Sequence, residues 1–263
     1  MTDVVLVQPG PVSVVRINRP EAHNALNDEV LTGVRDAVRA AALDPRTRAV
    51  VLTGSGQKAF SAGADLKQLS DLSVDRAVDL MRAGQEALRQ IETAGIPVVA
   101  AVNGIALGGG LELVLAATIP VLSARASLGL PEAGLGLIPG YGGTQRLPRA
   151  IGRAAAAHLM LTGERLDADR AYALGLTPVP PVAPDDLMDT AVSIARTIAD
   201  RGPRAVRAIL EALETGRDAP LDAGLRAESA LAVLAISGAE AAEGIAAFLD
   251  RRPARFADAG PQA

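Results

Sequence analysis

The feature that most limits the fold of this chain is a long apolar tract with a single acid inside it. Between Glu92 and Arg125, the only charged residue is Glu112. The tract is long enough to raise the question of a membrane helix, but prolines, Asn103 and a triple glycine divide it into short pieces. It therefore predicts a buried strand, a turn and a helix inside a folded domain, and no membrane span.

A second isolated acid lies in the next segment of the chain. Between Arg125 and Arg146 the only charged residue is Glu132, within SLGLPEAGLGLIPG. An ionised carboxylate in apolar surroundings is costly unless it is paired or its pKa rises. Glu112 and Glu132 therefore suggest a buried acid/base pair. The alternative for Glu132 is a structural turn in which it caps a backbone group.

The bulk composition narrows the possible partners. The 263 residues are 49% hydrophobic and 21% charged, which fits a globular chain. A net charge of −4 disfavours nucleic acid as a partner. The lack of cysteine and the wide separation of His23 and His158 disfavour a metal site. No signal-peptide pattern is recognised at the start, so we expect a cytoplasmic protein.

Strand and helix patterns alternate through the first part of the chain, which predicts an α/β fold. Predicted strands lie at 12–18, 49–52, 97–102 and 119–122, and predicted helices at 28–42, 74–93 and 108–117. After about Gly152 only helical patterns follow, at 154–162, 167–174, 185–201, 203–214, 221–236 and 240–252. We expect a core over residues 1–200 and a C-terminal helical region over residues 201–263, packed as one unit.

The triple glycine Gly108–Gly110 opens one of these helices. Glycine costs about 1 kcal/mol relative to alanine in a helix interior, so three in succession indicate that something approaches the backbone closely. Free N–H groups at a helix start bind negative charge, and Gly109 shares a helix face with Glu112. One turn could thus supply an amide and a carboxylate to the same pocket; tight packing of helix on strand is the alternative.

A second run of small residues, Ala59–Leu66, also joins a strand to a helix. Its backbone N–H groups could be presented without side-chain obstruction. For the side chain of Asp65 we expect a role as a helix cap. Alone, this segment indicates no particular chemistry.

Several segments occur together in an order and spacing typical of one protein family. They are NRP and NAL within 18–26, SAGADL at 61–66, AVNGIALGGGLEL at 101–113 and LPEAGLGLIPGYGGTQRLPR at 130–149. With these segments the chain resembles the crotonase superfamily, and within it the enoyl-CoA hydratases. The similarity continues into the tail segment EGIAAFL at 243–249 and covers essentially the whole chain.

The resemblance implies a crotonase-like spiral of ββα repeats with a C-terminal helical region that mediates trimer assembly, and hexamers of two stacked trimers. It implies a lyase of fatty acid metabolism and β-oxidation that adds water reversibly and with syn geometry to a 2-trans-enoyl-CoA, giving a 3-hydroxyacyl-CoA. Coenzyme A would be part of the acyl-CoA substrate, and no separate cofactor is expected.

The resemblance also assigns site residues. The N–H groups of Ala64 and Gly109 would form an oxyanion hole for the thioester carbonyl. Glu112 would orient and deprotonate a water, and Glu132 would donate a proton to the substrate. The expected substrate-binding residues are Ala25, Ala62, Ala64, Asp65, Leu66, Lys67 and Gly109. Whether Arg19 or Lys58 meets the coenzyme A phosphates is left open.

Two other functions stay open at this point. Superfamily relatives such as enoyl-CoA isomerases keep the oxyanion hole but vary the acids, and glutamate at both Glu112 and Glu132 favours hydration over them. A non-catalytic binding protein on the same fold, including one that binds RNA, is the other alternative. The acidic charge and the five aromatic residues provide no basic groove or stacking platform for RNA.

Overall fold

The structure is a computed structural model that describes residues 3–7, 10–70 and 72–256. Within these residues, nine strands form two sheets. From edge to edge, the larger sheet contains β1 (Val4–Val7), β2 (Val12–Ile17), β3 (Ala49–Gly54), β5 (Val98–Val102) and β7 (Ile119–Leu122). The smaller sheet contains β4 (Ala59–Ser61), β6 (Ile105–Leu107), β8 (Ser127–Gly129) and β9 (Leu166–Asp167).

Ten α-helices occupy much of the remaining described chain. The helices of the first part are α1 (Asp28–Leu43), α2 (Val74–Glu92), α3 (Gly109–Ala116), α4 (Gly143–Ile151), α5 (Arg153–Thr162) and α6 (Ala168–Ala173). Those that follow are α7 (Leu187–Ala199), α8 (Pro203–Gly216), α9 (Leu221–Ile236) and α10 (Ala239–Leu249). Asn27 caps α1: its side chain accepts the N–H of Val30.

The strands are arranged in repeats that build a spiral. β3, β5 and β7 run parallel in the large sheet, and β4, β6 and β8, which follow them, run parallel in the small sheet. The three strand pairs precede α2, α3 and α4 in turn. The predicted ββα repeats are therefore present, and each repeat contributes one strand to each sheet.

The large sheet is covered on both faces. Every residue of β3 and β5 is buried. One face packs into the main core with α1 and α2, and the other packs against the buried alanines of α7, including Ala191 and Ala195. Apolar burial of this extent is the main favourable contribution to folding. It also fixes the strand ends from which the loops of the candidate site emerge.

Parts of this architecture were not predicted from the sequence. β4, β6 and β8 have three residues each, which is too short for a periodic pattern to be recognised. α4 begins after Gly142, at φ 111°, and contains Pro148. Glycine and proline are poor helix formers, so no helix was predicted over this segment. Residues 257–263 of the predicted C-terminal region lie outside the described residues.

The last three helices contribute little to the core. No residue of α8 or α9 is buried, and α10 buries only Ala247. The large apolar side chains exposed on α9 and α10 are Leu221, Leu225, Val233, Leu234, Ile236, Ile245, Phe248 and Leu249. Within the described residues, no single helix has the length and composition to cross a membrane. Only α9 and α10 taken together have that length and composition, and they are bent by 69° at their junction.

Asn24 fixes the loop between β2 and α1. It is fully buried and has a φ of 56°. Its Oδ1 accepts the N–H of Arg19 at 3.0 Å, and its Nδ2 donates to the carbonyl oxygens of Ser55 and Ala59 at 3.0 and 2.8 Å. One side chain thus ties this loop to the connection between β3 and β4.

We expect Asn24→Ala to lower the free energy of unfolding by about 2–4 kcal/mol, because it leaves buried backbone groups without partners. Urea denaturation at pH 7 measures this loss. His23→Ala is the matched control, since His23 has a φ of 51° but an exposed side chain. The control should lose less than about 1 kcal/mol. Equal stability of Asn24→Ala and the wild type would contradict this role.

Candidate active site

The turn between β6 and α3 requires glycine for two separate reasons. Gly108 has φ 50° and ψ −126°, a conformation that residues with a Cβ rarely adopt. A Cβ on Gly108 would also lie 2.8 Å from Oε1 of Glu132. A Cβ on Gly110 would collide with the carbonyl oxygen of Ser61. The triple glycine thus permits both a tight turn and the close packing of α3 on β4.

Two backbone amides beside this turn have no acceptor within the described residues. The isolated bridge between Leu26 and Ala64 uses the carbonyl of Gly63 and the N–H of Asp65, which leaves the N–H of Ala64 unused. Gly109 is the first residue of α3, where an N–H has no partner inside the helix. Both amides are therefore available to a ligand oxygen.

The loop that carries Ala64 packs directly on the turn that carries Gly109. Gly63 has φ 99°, and a Cβ there would lie 2.7 Å from the carbonyl oxygen of Leu107 and 3.4 Å from the amide nitrogen of Gly109. No other residue type fits this contact without displacing the turn. The structure therefore brings the two predicted oxyanion donors to neighbouring segments.

Glu112 lies one turn into α3 and is 2% exposed. Its Oε1 accepts the backbone N–H of Tyr141 at 2.8 Å and that of Gly143 at 2.7 Å. A Cβ on Gly143 would lie 3.0 Å from this same oxygen. The loop before α4 therefore holds the carboxyl in one orientation, and glycine at position 143 lets the backbone approach it.

The pKa of Glu112 is raised to about 7, mainly by burial and in part by the neighbouring Glu132 carboxylate. The N–H groups of Gly143 and Tyr141 and the charge of Arg146 oppose this rise. The carboxyl thus changes its charge close to neutral pH. A buried acid adjusted in this way is a usual sign of proton-transfer chemistry.

Glu132 opens a 3₁₀ turn, Glu132–Leu135, and is half-buried. Its Oε2 is buried and has no hydrogen-bond partner among the described residues. Burial raises the pKa of its carboxyl. An unpaired buried carboxyl oxygen is costly, so this atom is a strong candidate to face a substrate or a bound water.

The segments predicted to lie along the substrate also meet. Ala62 donates its N–H to the carbonyl of His23 at 3.0 Å, which joins its loop to the one that carries Ala25. Arg19 contacts both loops, donating to the carbonyl of Ala25 at 3.0 Å and lying 3.5 Å from a carboxylate oxygen of Asp65. Arg19 therefore holds these loops together.

The remaining predicted substrate-binding residues, Leu66 and Lys67, follow Asp65 in a 3₁₀ turn, Leu66–Gln68, in which Leu66 is exposed. Among the described residues, no three His, Asp or Glu side chains come together as a set of metal ligands.

Comparisons with known proteins identify the family of the chain. A sequence model of the enoyl-CoA hydratase/isomerase family matches residues 8–259. The chain belongs to the enoyl-CoA hydratase/isomerase family. It is 39% identical over 254 residues to the crotonyl-CoA hydratase of Syntrophomonas wolfei, with 97% of each chain covered. It is 37% identical over 252 residues to the short-chain-enoyl-CoA hydratase of Clostridium acetobutylicum, with 96% of each covered.

A solved structure extends the likeness to the fold. The enoyl-CoA hydratase of Bacillus anthracis superposes with a TM-score of 0.92 at 36% sequence identity, covering 97% of this chain and 98% of that chain. The predicted crotonase-like spiral is therefore confirmed. As in other members of the enoyl-CoA hydratase/isomerase family, we expect the substrate to be an acyl-CoA thioester.

Sequence reasoning missed the part that Tyr141 plays in holding the carboxyl of Glu112 in place. Tyr141 is 4% exposed. A Cβ on Gly109 would lie 3.3 Å from its ring, and a Cβ on Gly84 of α2 would overlap the ring. Burial, with the charges of Glu112 and Asp28, raises the pKa of the tyrosine hydroxyl to about 12. The unusual glycine inside α2 was the one available sequence signal for this contact.

We expect Glu112→Gln to gain stability over the wild type as the pH rises. Glutamate has an ordinary pKa of 4.5, and Glu112 in the fold has one of about 7. The free-energy cost of ionising the buried carboxyl therefore does not affect folding below pH 4.5 and reaches its full value above about pH 7. The difference in unfolding free energy should grow by about 2.5 kcal/mol between pH 5 and pH 8.

Denaturant titrations of both proteins at several pH values measure this difference. Glu86→Gln, which changes an exposed glutamate of α2, is the control and should differ from the wild type by a constant amount. A constant difference for Glu112→Gln over the same range would show that this carboxyl is not perturbed.

Proposed function

We propose that this protein is an enoyl-CoA hydratase that adds water to the 2,3-double bond of a short-chain 2-trans-enoyl-CoA and gives a 3-hydroxyacyl-CoA. The observation that carries the proposal is the pairing of two unused amides with two perturbed carboxyls. Ala64 and Gly109 supply the amides, and Glu112 and Glu132 supply the carboxyls. The names of the hydratase relatives support both the reaction and the short acyl chain.

The amides of Ala64 and Gly109 would bind the thioester carbonyl oxygen. Addition of water at C3 moves electrons through the double bond onto this oxygen, which becomes enolate-like. Fixed donors stabilise that charge more than they stabilise the neutral carbonyl. Each donor of this kind is typically worth about 3–4 kcal/mol of barrier. The start of α3 adds a positive helix-dipole end at the same place.

The carboxyls would carry the proton transfers. Ionised Glu112 takes a proton from water as the water oxygen bonds to C3, and protonated Glu132 gives its proton to C2. Glu112 ends protonated and Glu132 ionised, so one proton exchange returns the site to its starting state. With a pKa of about 7, Glu112 is about half ionised at neutral pH, and the raised pKa of Glu132 favours its protonated form.

Coenzyme A would lie along the two joined loops that contain Ala25 and Ala62. Ala62 and Leu66 are exposed and accessible to a ligand there. The contacts of Arg19 with Ala25 and Asp65 keep both loops in place. The backbone of Asp65 and Lys67 completes this surface. Because Arg19 is engaged by Asp3 and Asp65, Lys58 is the better candidate for a phosphate contact.

We also propose that the protein assembles as a homotrimer or as a hexamer of two trimers. The support is the exposed apolar surface of α9 and α10, which includes Ile236 and Phe248 at 74% and 83% exposure. Large apolar surfaces of this kind usually mark protein contacts. Light scattering of the purified protein tests the assembly directly.

We expect Glu112→Gln and Glu132→Gln each to lower kcat for hydration of crotonyl-CoA by about 10²–10⁴-fold, because each removes one proton-transfer group. The loss of absorbance of the conjugated thioester measures the rate. Glu86→Gln is again the matched control. If both active-site variants kept near wild-type turnover while folded, the assignment of the two acids would be wrong.

We expect Gly109→Pro to lower kcat/KM by about 10²–10³-fold, because it removes one oxyanion donor. Proline is tolerated at the first position of a helix, but a Cβ at this position lies within 3.3 Å of Leu26 and Tyr141. Gly109→Ala therefore serves as the control, since it adds the Cβ and keeps the N–H. Equal activity of the two variants would argue against a role for this amide.

A further inference from the structure

Arg146, on the first turn of α4, lies behind the loop that holds Glu112. Its Nη1 donates to the carbonyl oxygen of Tyr141 at 2.9 Å. Its Nε and Nη2 donate to the two carboxylate oxygens of Glu92, at the end of α2, at 3.1 and 3.0 Å. The side chains of Arg146 and Glu92 are only 13% and 11% exposed. A bidentate pair of this kind fixes the guanidinium in both position and orientation.

The same residue, Tyr141, connects the arginine to the carboxyl. Its N–H donates to Glu112, and its carbonyl accepts from Arg146. Gly140 and Gly142 flank it, and glycine allows the backbone to rotate freely. The direction of the Tyr141 N–H therefore depends on an external contact, and the guanidinium of Arg146 provides one.

Glu92 is itself held by further arginines. Arg217, which follows α8, donates to its Oε1 at 2.5 Å, and Arg89 lies 3.2 Å from its Oε2. Burial tends to raise the pKa of Glu92, but Arg146 and Arg217 outweigh it and hold the pKa below its usual range. Glu92 is thus an ionised anchor that joins α2, α4 and the end of α8.

We propose that Arg146 is a positioning residue for hydration: anchored on Glu92, it holds the Tyr141 peptide so that its N–H fixes the Glu112 carboxyl for proton transfer. This inference rests on the proposed hydratase function and goes beyond it, because Arg146 has no contact with the reacting groups in that mechanism. It acts through the loop geometry and through its charge.

The charge of Arg146 gives this role a measurable sign. The charged and titratable groups that act on Glu112 are Glu132 from the 3₁₀ turn, Tyr141 from the loop and Arg146 from α4, with Glu92 of α2 behind the arginine. Arg146 favours the ionised form of Glu112, whereas Glu132 opposes it. In the pH profile of kcat, the acidic limb is the low-pH range in which kcat falls because Glu112 becomes protonated. Loss of the arginine charge should therefore move this acidic limb to higher pH.

The test measures kcat and KM for crotonyl-CoA from pH 5 to pH 9 in folded variants. Arg146→Gln should lower kcat about 10- to 100-fold with KM within about threefold of the wild type, because it disturbs the alignment of the reacting groups and not coenzyme A binding. Its acidic limb should shift upward. Arg146→Lys keeps the positive charge but cannot form the two parallel hydrogen bonds of a guanidinium. It should therefore recover part of kcat, and its acidic limb should lie near that of the wild type.

Two further variants separate positioning from stability. Arg149→Gln is the matched control on the same helix. Arg149 pairs with Asp218 and donates to the carbonyl of Gln145, and within the described residues no hydrogen bond or ion pair joins it to the loop at 140–143, so this change should leave kcat and the limb unchanged. Glu92→Gln removes the partner that anchors Arg146, so kcat should fall while KM stays within about threefold of the wild type. A loss of kcat in Glu92→Gln at unchanged KM, in a protein that is as folded as Arg149→Gln, cannot arise from a general loss of stability.

The inference is overturned if folded Arg146→Gln retains wild-type kcat and an unshifted limb, or if folded Glu92→Gln retains wild-type kcat. A wild-type protein that hydrates no 2-enoyl-CoA would instead overturn the proposed function. The two failures are therefore distinguishable within one set of assays.

Discussion

The interaction on which the site depends is the pair of hydrogen bonds that the backbone N–H groups of Tyr141 and Gly143 donate to one oxygen of Glu112. It lets a carboxyl that is 2% exposed exist in an apolar core, because the amides offset part of the cost of desolvation. It leaves the other oxygen of Glu112 outside this pair of bonds. The result is an acid that is rigid, buried and close to the midpoint of its titration at neutral pH.

The two-sheet spiral explains why this acid meets an oxyanion hole. β4 and β6 are neighbours in the small sheet, so the segments that follow them, with Ala64 and Gly109, also lie side by side. Because α3 begins at the second of these segments, one helix supplies both an amide and, one turn later, a carboxyl. The large sheet fixes the strand ends but contributes no candidate catalytic group of its own.

The sequence predicted the strongly patterned elements and missed the short ones. α9 was predicted at its observed bounds, Leu221–Ile236, because its helical pattern extends over many residues. The strands of the small sheet were missed because segments of two or three residues show no periodic pattern. The isolation of Glu112 predicted its burial, but its partners Tyr141 and Gly143 lie 29 and 31 residues away along the chain. Such contacts depend on tertiary packing, which no local pattern records.

The central claim is that Glu112 is a buried acid poised near neutral pH by its surroundings. Carbon-13 NMR of protein labelled at the glutamate side-chain carboxyl, with Glu112→Gln used to assign the signal, measures its pKa directly. We expect a titration midpoint near pH 7 that moves to lower pH in Glu132→Gln, since the Glu132 charge contributes to the raised pKa. A Glu112 signal that titrates near its ordinary value of 4.5 and ignores the change at Glu132 would contradict it.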